Sequence, residues 1–219
     1  MASESEARGA ILSSIRSALR APAEHDDGAR QAEYEGLPRG YKRAATLQGE
    51  ALLALFTHRL IEYDAGVARV PRAQIADAVA RLLGKRGLKR IAIADDLPAE
   101  WLPCGFQFEK ASAFGAQQLD ELEGALTGCA VAIAETGTIV LQNAAAQGPR
   151  SLSLVPDYHL CVVFAAQVVE TVPECFARLD ATAALPTTFI SGPSATADIE
   201  MTRIKGVHGP RFLDVLMVE

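Results

Sequence analysis

Three stretches of this chain are nearly continuous in apolar residues: KRIAIA at 89–94, HLCVVFAAQVV at 159–169 and RFLDVLMV at 211–218. A strand with one wet face alternates apolar and polar side chains, and these do not, so both faces need cover. Helical patterns lie between them. LQGEALLALFTHRLIEYDAG (47–66) reads as a helix closed by Gly66, and PRAQIADAVARLLGKRG (71–87) as one opened at Pro71 and closed at Gly87. FGAQQLDELEGAL (114–126) and TVPECFARLDA (171–181) read as two more. VARV (67–70), FQFEK (106–110) and TTFIS (187–191) are shorter strand candidates. GCAVAIAETGTIVLQN (128–143) reads as two strands joined at Glu135-Thr136-Gly137. Apolar strands alternating with helices predict an α/β fold: a mostly parallel sheet covered on both faces, with one antiparallel hairpin within it.

The N-terminal part differs. Residues 4–20 carry Ala7, Ile11, Ile15, Ala18 and Leu19 near helical spacing, which predicts an amphipathic helix. Residues 21–46 mix charge with scattered Gly and Pro, and read as a linker or extended arm. The expected organisation is a helix and arm over 1–46 and an α/β domain over 47–219.

The formal net charge is -6, which argues against a general nucleic-acid or acidic-membrane binder. No apolar run approaches the length of a membrane span. The N-terminus shows no secretory pattern, so the expected location is the cytoplasm. The four cysteines, Cys104, Cys129, Cys161 and Cys175, form no C-x-x-C, so neither a zinc site nor an iron–sulfur site is signalled and no cofactor is expected in this chain. Cys129 and Cys161 read as buried small hydrophobes, although His159 and Cys161 would share a strand face.

In parallel sheets ligands gather where strands end at their carboxyl side and loops meet helices. Three polar loops follow strands here: Asp95-Asp96, Glu135-Thr136-Gly137, and Ser191 to Thr196. In the last, Ser191, Gly192, Ser194 and Thr196 could cradle an anion, or Ser194 or Thr196 could cap a helix opening at Ala197, with Asp198 and Glu200 suiting its dipole. Glu135, at the edge of an apolar strand, is a candidate base or nucleophile, or a plain turn acid. His208, between glycines in GVHGP, is a candidate acid, base or donor, or a histidine satisfied in its turn; His159 is equally open. Arg150 could clamp a carboxylate or phosphate, or be a surface residue beside a loop. Asp198, Glu200 and His208 match no known metal-ligand spacing, so no metal is expected.

AETGTIVL (134–141), PRSLSLVPDYHLCVV (149–163), ISGPSATADIE (190–200) and GVHGPRFLDVLMV (206–218) together resemble the LUD domain family, of the lactate-utilisation protein C type. The resemblance implies a three-layer α/β/α fold like that of glucosamine-phosphate deaminase, ribose-phosphate isomerase and the CoA transferases. It implies a place in a three-protein system that oxidises L-lactate to pyruvate, with iron–sulfur clusters on the other two proteins as partners. It carries the motif over onto Glu135, Thr136, Gly137, Arg150, Ser191, Gly192, Pro193, Ser194, Thr196, Asp198, Glu200, His208, Gly209 and Pro210, without assigning catalytic roles. A looser likeness joins Glu135-Thr136-Gly137 to the nucleophilic glutamate of certain CoA transferases; the alternative is a free-standing enzyme or a binding module for an anionic small molecule, a sugar phosphate or acyl-CoA, using Glu135 and the Ser191–Thr196 loop.

Overall fold

The computed structural model describes residues 4–18, 27–38, 40–196, 204–205 and 209–219. The long apolar runs become parallel strands side by side. The central sheet holds β1 (Gly66–Val70), β2 (Arg90–Ile93), β3 (Gln107–Lys110), β4 (Gly124–Thr127), β7 (Tyr158–Phe164) and β12 (Phe212–Val218), in the order β1-β12-β7-β4-β2-β3. Every neighbouring pair is parallel. On β7 the side chains alternate between two cores. Tyr158, Leu160 and Val162 pack with Val79 and Leu83 of α4 (Ile75–Lys85). Cys161 and Val163 pack on the other face with Phe56 and Leu60 of α3 (Gly49–Glu62). His159 shares that second face by strand alternation.

The hairpin expected inside this sheet lies in a second one. β5 (Val131–Ile133) and β6 (Thr138–Gln142) pair antiparallel, and β8 (Val168–Val169) and β9 (Thr187–Ile190) flank them in the order β8-β5-β6-β9. One face of this small sheet, with Ala132, Ala134, Ile139 and Leu141, joins the α3 core. The other, with Val131, Ile133 and Val140, packs on Cys175 and Leu179 of α7 (Val172–Leu179). Both faces of β5 and β6 are therefore buried, which is why their sequence looked like central strand.

Residues 114–126 are not one helix. α5 (Ala116–Leu119) is a single turn, and Gly124–Thr127 enters the sheet centre as β4, buried throughout. A Cβ at Gly124 would lie 2.9 Å from Tyr158 Cδ1 and 3.2 Å from its carbonyl oxygen, so glycine is what lets β4 close on β7. α3 ends at Glu62 rather than Gly66. Asp64 takes the left-handed turn (φ 63), Ala65 N–H donates to the Leu60 carbonyl at 3.0 Å, and Gly66 opens β1. α6 (Arg150–Leu154) is a short helix within the PRSLSLVP motif.

Contacts divide the chain into two units, Met1–Tyr41 and Lys42–Glu219. The first holds α1 (Glu4–Ala18), as expected, and α2 (Asp27–Gly36), a helix where an extended arm was expected. The loop after β9 does not run straight into a helix. β10 (Ala195–Thr196) pairs antiparallel with β11 (Ile204–Lys205) as a two-stranded ribbon. The expected helix start at Ala197–Glu200 lies outside the described residues. No helix among the described residues is long and apolar enough to cross a membrane.

Candidate functional site

The site is built where β9 of the small sheet passes the amino-terminal ends of β7 and β12. The strand direction places Ser191 to Ser194 just beyond Ile190, and Gly192 turns the chain there with φ +83. A Cβ on Gly192 would sit 2.6 Å from Tyr63 Cβ and 2.9 Å from its carbonyl oxygen, so the turn rests directly on the end of α3. Ser194 N–H donates to the Pro210 carbonyl at 2.8 Å, tying this loop to the segment that feeds β12. α6 supplies the third side, and His159, paired with Leu213 in the sheet register, supplies the floor. The half-open cleft has a volume of about 320 Å³.

Leu154, Phe189, Ile190 and Leu213 make part of the lining apolar, and the polar part carries one cation. Arg150 is exposed at the rim and donates from Nη1 to Thr188 Oγ1 at 2.8 Å. Ser153 Oγ donates to the Arg150 carbonyl at 3.2 Å. Ser191 Oγ lies 2.8 Å from Thr138 Oγ1, which lies 2.7 Å from Thr136 Oγ1, so a chain of hydroxyls runs from the cleft into the β5–β6 turn. Among the described residues the lining carries one guanidinium and no carboxylate. His159 is fully buried, and its Nε2 is 2.8 Å from Thr127 Oγ1. Burial disfavours the imidazolium and pushes its pKa down to about 4. The ring is therefore neutral at neutral pH.

A larger cleft, about 820 Å³, opens between α4 and the starts of β7 and β12, and both of its arginines are held in ion pairs. Arg86 holds Asp214 through two bonds of 3.0 Å, Tyr158 Oη donates to the same carboxylate at 2.9 Å, and Arg211 pairs with Asp157. At the carboxyl end of β2, where a ligand was expected, Asp95 is bonded to Ser112 and Asp96 accepts from the Ala146 amide at 2.9 Å. Those two acids hold loops in place.

Of the residues singled out from the sequence, Arg150, Ser191, Gly192, Ser194 and Gly209 come together on the cleft. Thr136 stands behind Ser191 in the hydroxyl chain. Gly137 is a packing position: its Cβ would meet the Arg59 backbone at 2.9 Å. Glu135 does not line the cleft. Its carboxylate takes a bond of 2.8 Å from Lys42 Nζ, and its side chain is 37% exposed. The carboxylate at that strand edge is half-exposed and ion-paired. Lys42 also bonds Glu170, whose side chain is only 2% exposed and which accepts from the backbone of Thr46 and Leu47. The Lys42 ammonium and those amides pull the Glu170 pKa down to about 2. Thr196 lies in the β10–β11 ribbon, and Asp198, Glu200 and His208 lie outside the described residues.

A LUD domain family model matches residues 53–218. The chain belongs to the LUD domain family. The match spans both sheets and every segment that lines the cleft. A "Lactate utilization protein C" from Deinococcus radiodurans is 42% identical over 187 residues, covering 84% of this chain and 87% of that protein. An "Uncharacterized protein YkgG" from Escherichia coli is 32% identical over 163 residues, 67% of this chain and 70% of that one. A crystal structure of a DUF162 family protein from Deinococcus radiodurans superposes with a TM-score of 0.70 at 38% identity, covering 79% of this chain and 99% of that one. In this LUD domain the expected α/β architecture is therefore present in a solved relative.

Sequence reasoning left His159 open and missed Thr127, Ser153 and Thr188. A signal existed for the first two: a histidine and a threonine interrupt strands that are otherwise apolar, and a polar group in such a place needs a partner. In this LUD domain the two are each other's partner.

Proposed function

We propose that this chain is a component of an L-lactate-utilisation system that oxidises lactate to pyruvate together with separate iron–sulfur proteins. The observation that carries the reading is the 42% identity, over most of both chains, to a protein named for lactate utilisation. Lactate gives up two electrons and two protons in becoming pyruvate. In this reading the electrons leave through the iron–sulfur partners, no redox cofactor resides on this chain, and the whole system works in the cytoplasm. The cleft supports a binding role within it. One guanidinium and several hydroxyls, with no described carboxylate among them, suit a small anion.

The alternative, a free-standing enzyme with Glu135 as base or nucleophile, has less behind it, because that carboxylate is engaged by Lys42 away from the cleft. The experiment that separates the two is recovery of the tagged full chain from its own cells grown on lactate. Co-eluting proteins are identified by mass, and lactate-dependent dye reduction is then measured with and without the chain. Near-equal amounts of iron–sulfur proteins, and dye reduction that needs this chain, are expected. Dye reduction indifferent to the chain would sink the reading. Turnover of a sugar phosphate or acyl-CoA by the chain alone, abolished in Glu135→Gln, would establish the alternative.

A further inference from the structure

The floor of the cleft holds a polar group that the fold leaves half satisfied. His159 is fully buried, the residue belongs to the cleft lining, and Thr127 engages Nε2 at 2.8 Å. Its Nδ1 has no hydrogen-bond partner among the described residues. A buried ring nitrogen without a partner is costly, and the great majority of such groups are bonded.

The rim narrows the class of occupant. Arg150 is the one cationic side chain of the described lining, which suits a monoanion better than a di- or triphosphate. A planar guanidinium fork matches the two oxygens of a carboxylate. The volume, about 320 Å³, is at the small end for small-molecule sites. We propose that the ligand is a small carboxylate bearing a hydroxyl or keto oxygen, with Arg150 taking the carboxylate and His159 Nδ1 taking the second oxygen. His159 is then the residue that tells such an acid from a plain fatty acid.

The pairing with Thr127 lets one ring serve both oxidation states of the ligand. When Nε2–H donates to Thr127 Oγ1, Nδ1 is an acceptor and accepts a hydrogen bond from an alcohol. When the Thr127 hydroxyl donates to Nε2 instead, Nδ1 carries the hydrogen and donates to a keto oxygen. The exchange needs a rotation of one hydroxyl and a change of tautomer, and no net charge is brought into the cleft. A 2-hydroxy acid and the 2-oxo acid formed from it are thus held by the same atoms.

This inference rests on the lactate-utilisation reading and its anion cleft. Its test uses the full chain with histidine ring nitrogens labelled with ¹⁵N, titrated with L-lactate, pyruvate and propionate. Lactate and pyruvate are expected to bind at least about tenfold more tightly than propionate, the worth of one buried hydrogen bond. Lactate is expected to keep the His159 Nδ1 resonance in the unprotonated class, and pyruvate to move it to the protonated class. Arg150→Met, a change at an exposed position, weakens all three acids; His159→Phe removes the preference and leaves propionate binding in place. If His159→Phe does not fold, the ring resonances of the native chain still decide. Equal affinity for all three acids with an unmoved His159 resonance overturns the role of His159 and leaves the anion cleft standing. No binding of any carboxylate to the native chain overturns both.

Discussion

At His159 the chain holds a titratable ring that is fully buried in the folded state. The unfolded chain binds a proton at that side chain near pH 6.5, and the folded chain does so only near pH 4. Between those values the unfolded state carries the extra proton, so stability falls as the pH is lowered through the window. With 1.36 kcal/mol per unit of difference, the loss is roughly 3 kcal/mol by the bottom of the window. Urea unfolding of the native chain at pH 7 and pH 4.5 should show most of that loss, and His159→Phe should lose distinctly less over the same interval. Equal losses in both proteins would mean that another group governs this part of the acid response. Above pH 6.5 the ring adds no pH dependence, consistent with its use as a neutral hydrogen-bonding group.

At the scale of elements, one buried carboxylate joins distant parts of the α/β unit. Glu170 stands between β8 and α7. It gathers Lys42, the Thr46 hydroxyl and the amides of Thr46 and Leu47, which fixes the segment leading into α3. The next residue, Thr171, caps α7, and its amide N–H donates to Glu174 Oε2 at 2.9 Å. Another Glu174 oxygen accepts from the Ala45 amide at 3.3 Å. The segment is therefore held at both ends by neighbouring carboxylates. Glu170→Gln keeps the shape and removes the charge, and hydrogen bonds to charged groups are the stronger ones. Amide exchange over residues 45–47 should accelerate by about tenfold or more in that variant, while exchange in β7 and β12 stays as it was. Unchanged exchange over 45–47 would show that the charge on Glu170 does not hold this segment. The acid dependence has the usual sign for a carboxylate with a depressed pKa. The Glu170 contribution is complete above pH 4.5 and fades as the pH falls toward 2, below most of the His159 window.

For the whole molecule, the three buried cores all lie between Leu53 and Val218. A chain beginning at Lys42 keeps those cores and the Glu170 bonds, so it should unfold in one cooperative transition. A chain beginning at Gln48 loses the segment that Glu170 holds and should melt lower, by about 2–4 °C for each kcal/mol of lost stability. Equal melting temperatures for the two truncations would show that residues 42–47 add nothing to the stability of the unit. The sequence by itself determined the class of fold, because strands apolar on both faces have few other ways to be covered. It also marked the segments around Arg150, Ser191 and Gly209, where small polar residues interrupt apolar runs. Tertiary structure decided the rest. β4 is four residues long and follows a helical pattern, and its place at the sheet centre depends on Tyr158, far along the chain. Glu135 stood open between reactive group and turn acid because its partner, Lys42, is 93 residues away, and His159 looked ambiguous because Thr127 is 32 residues away. The cleft sits at the amino-terminal ends of β7 and β12 because a strand of a second sheet passes there. Local periodicity reports which faces a segment buries; it carries no record of which strand will lie beside which.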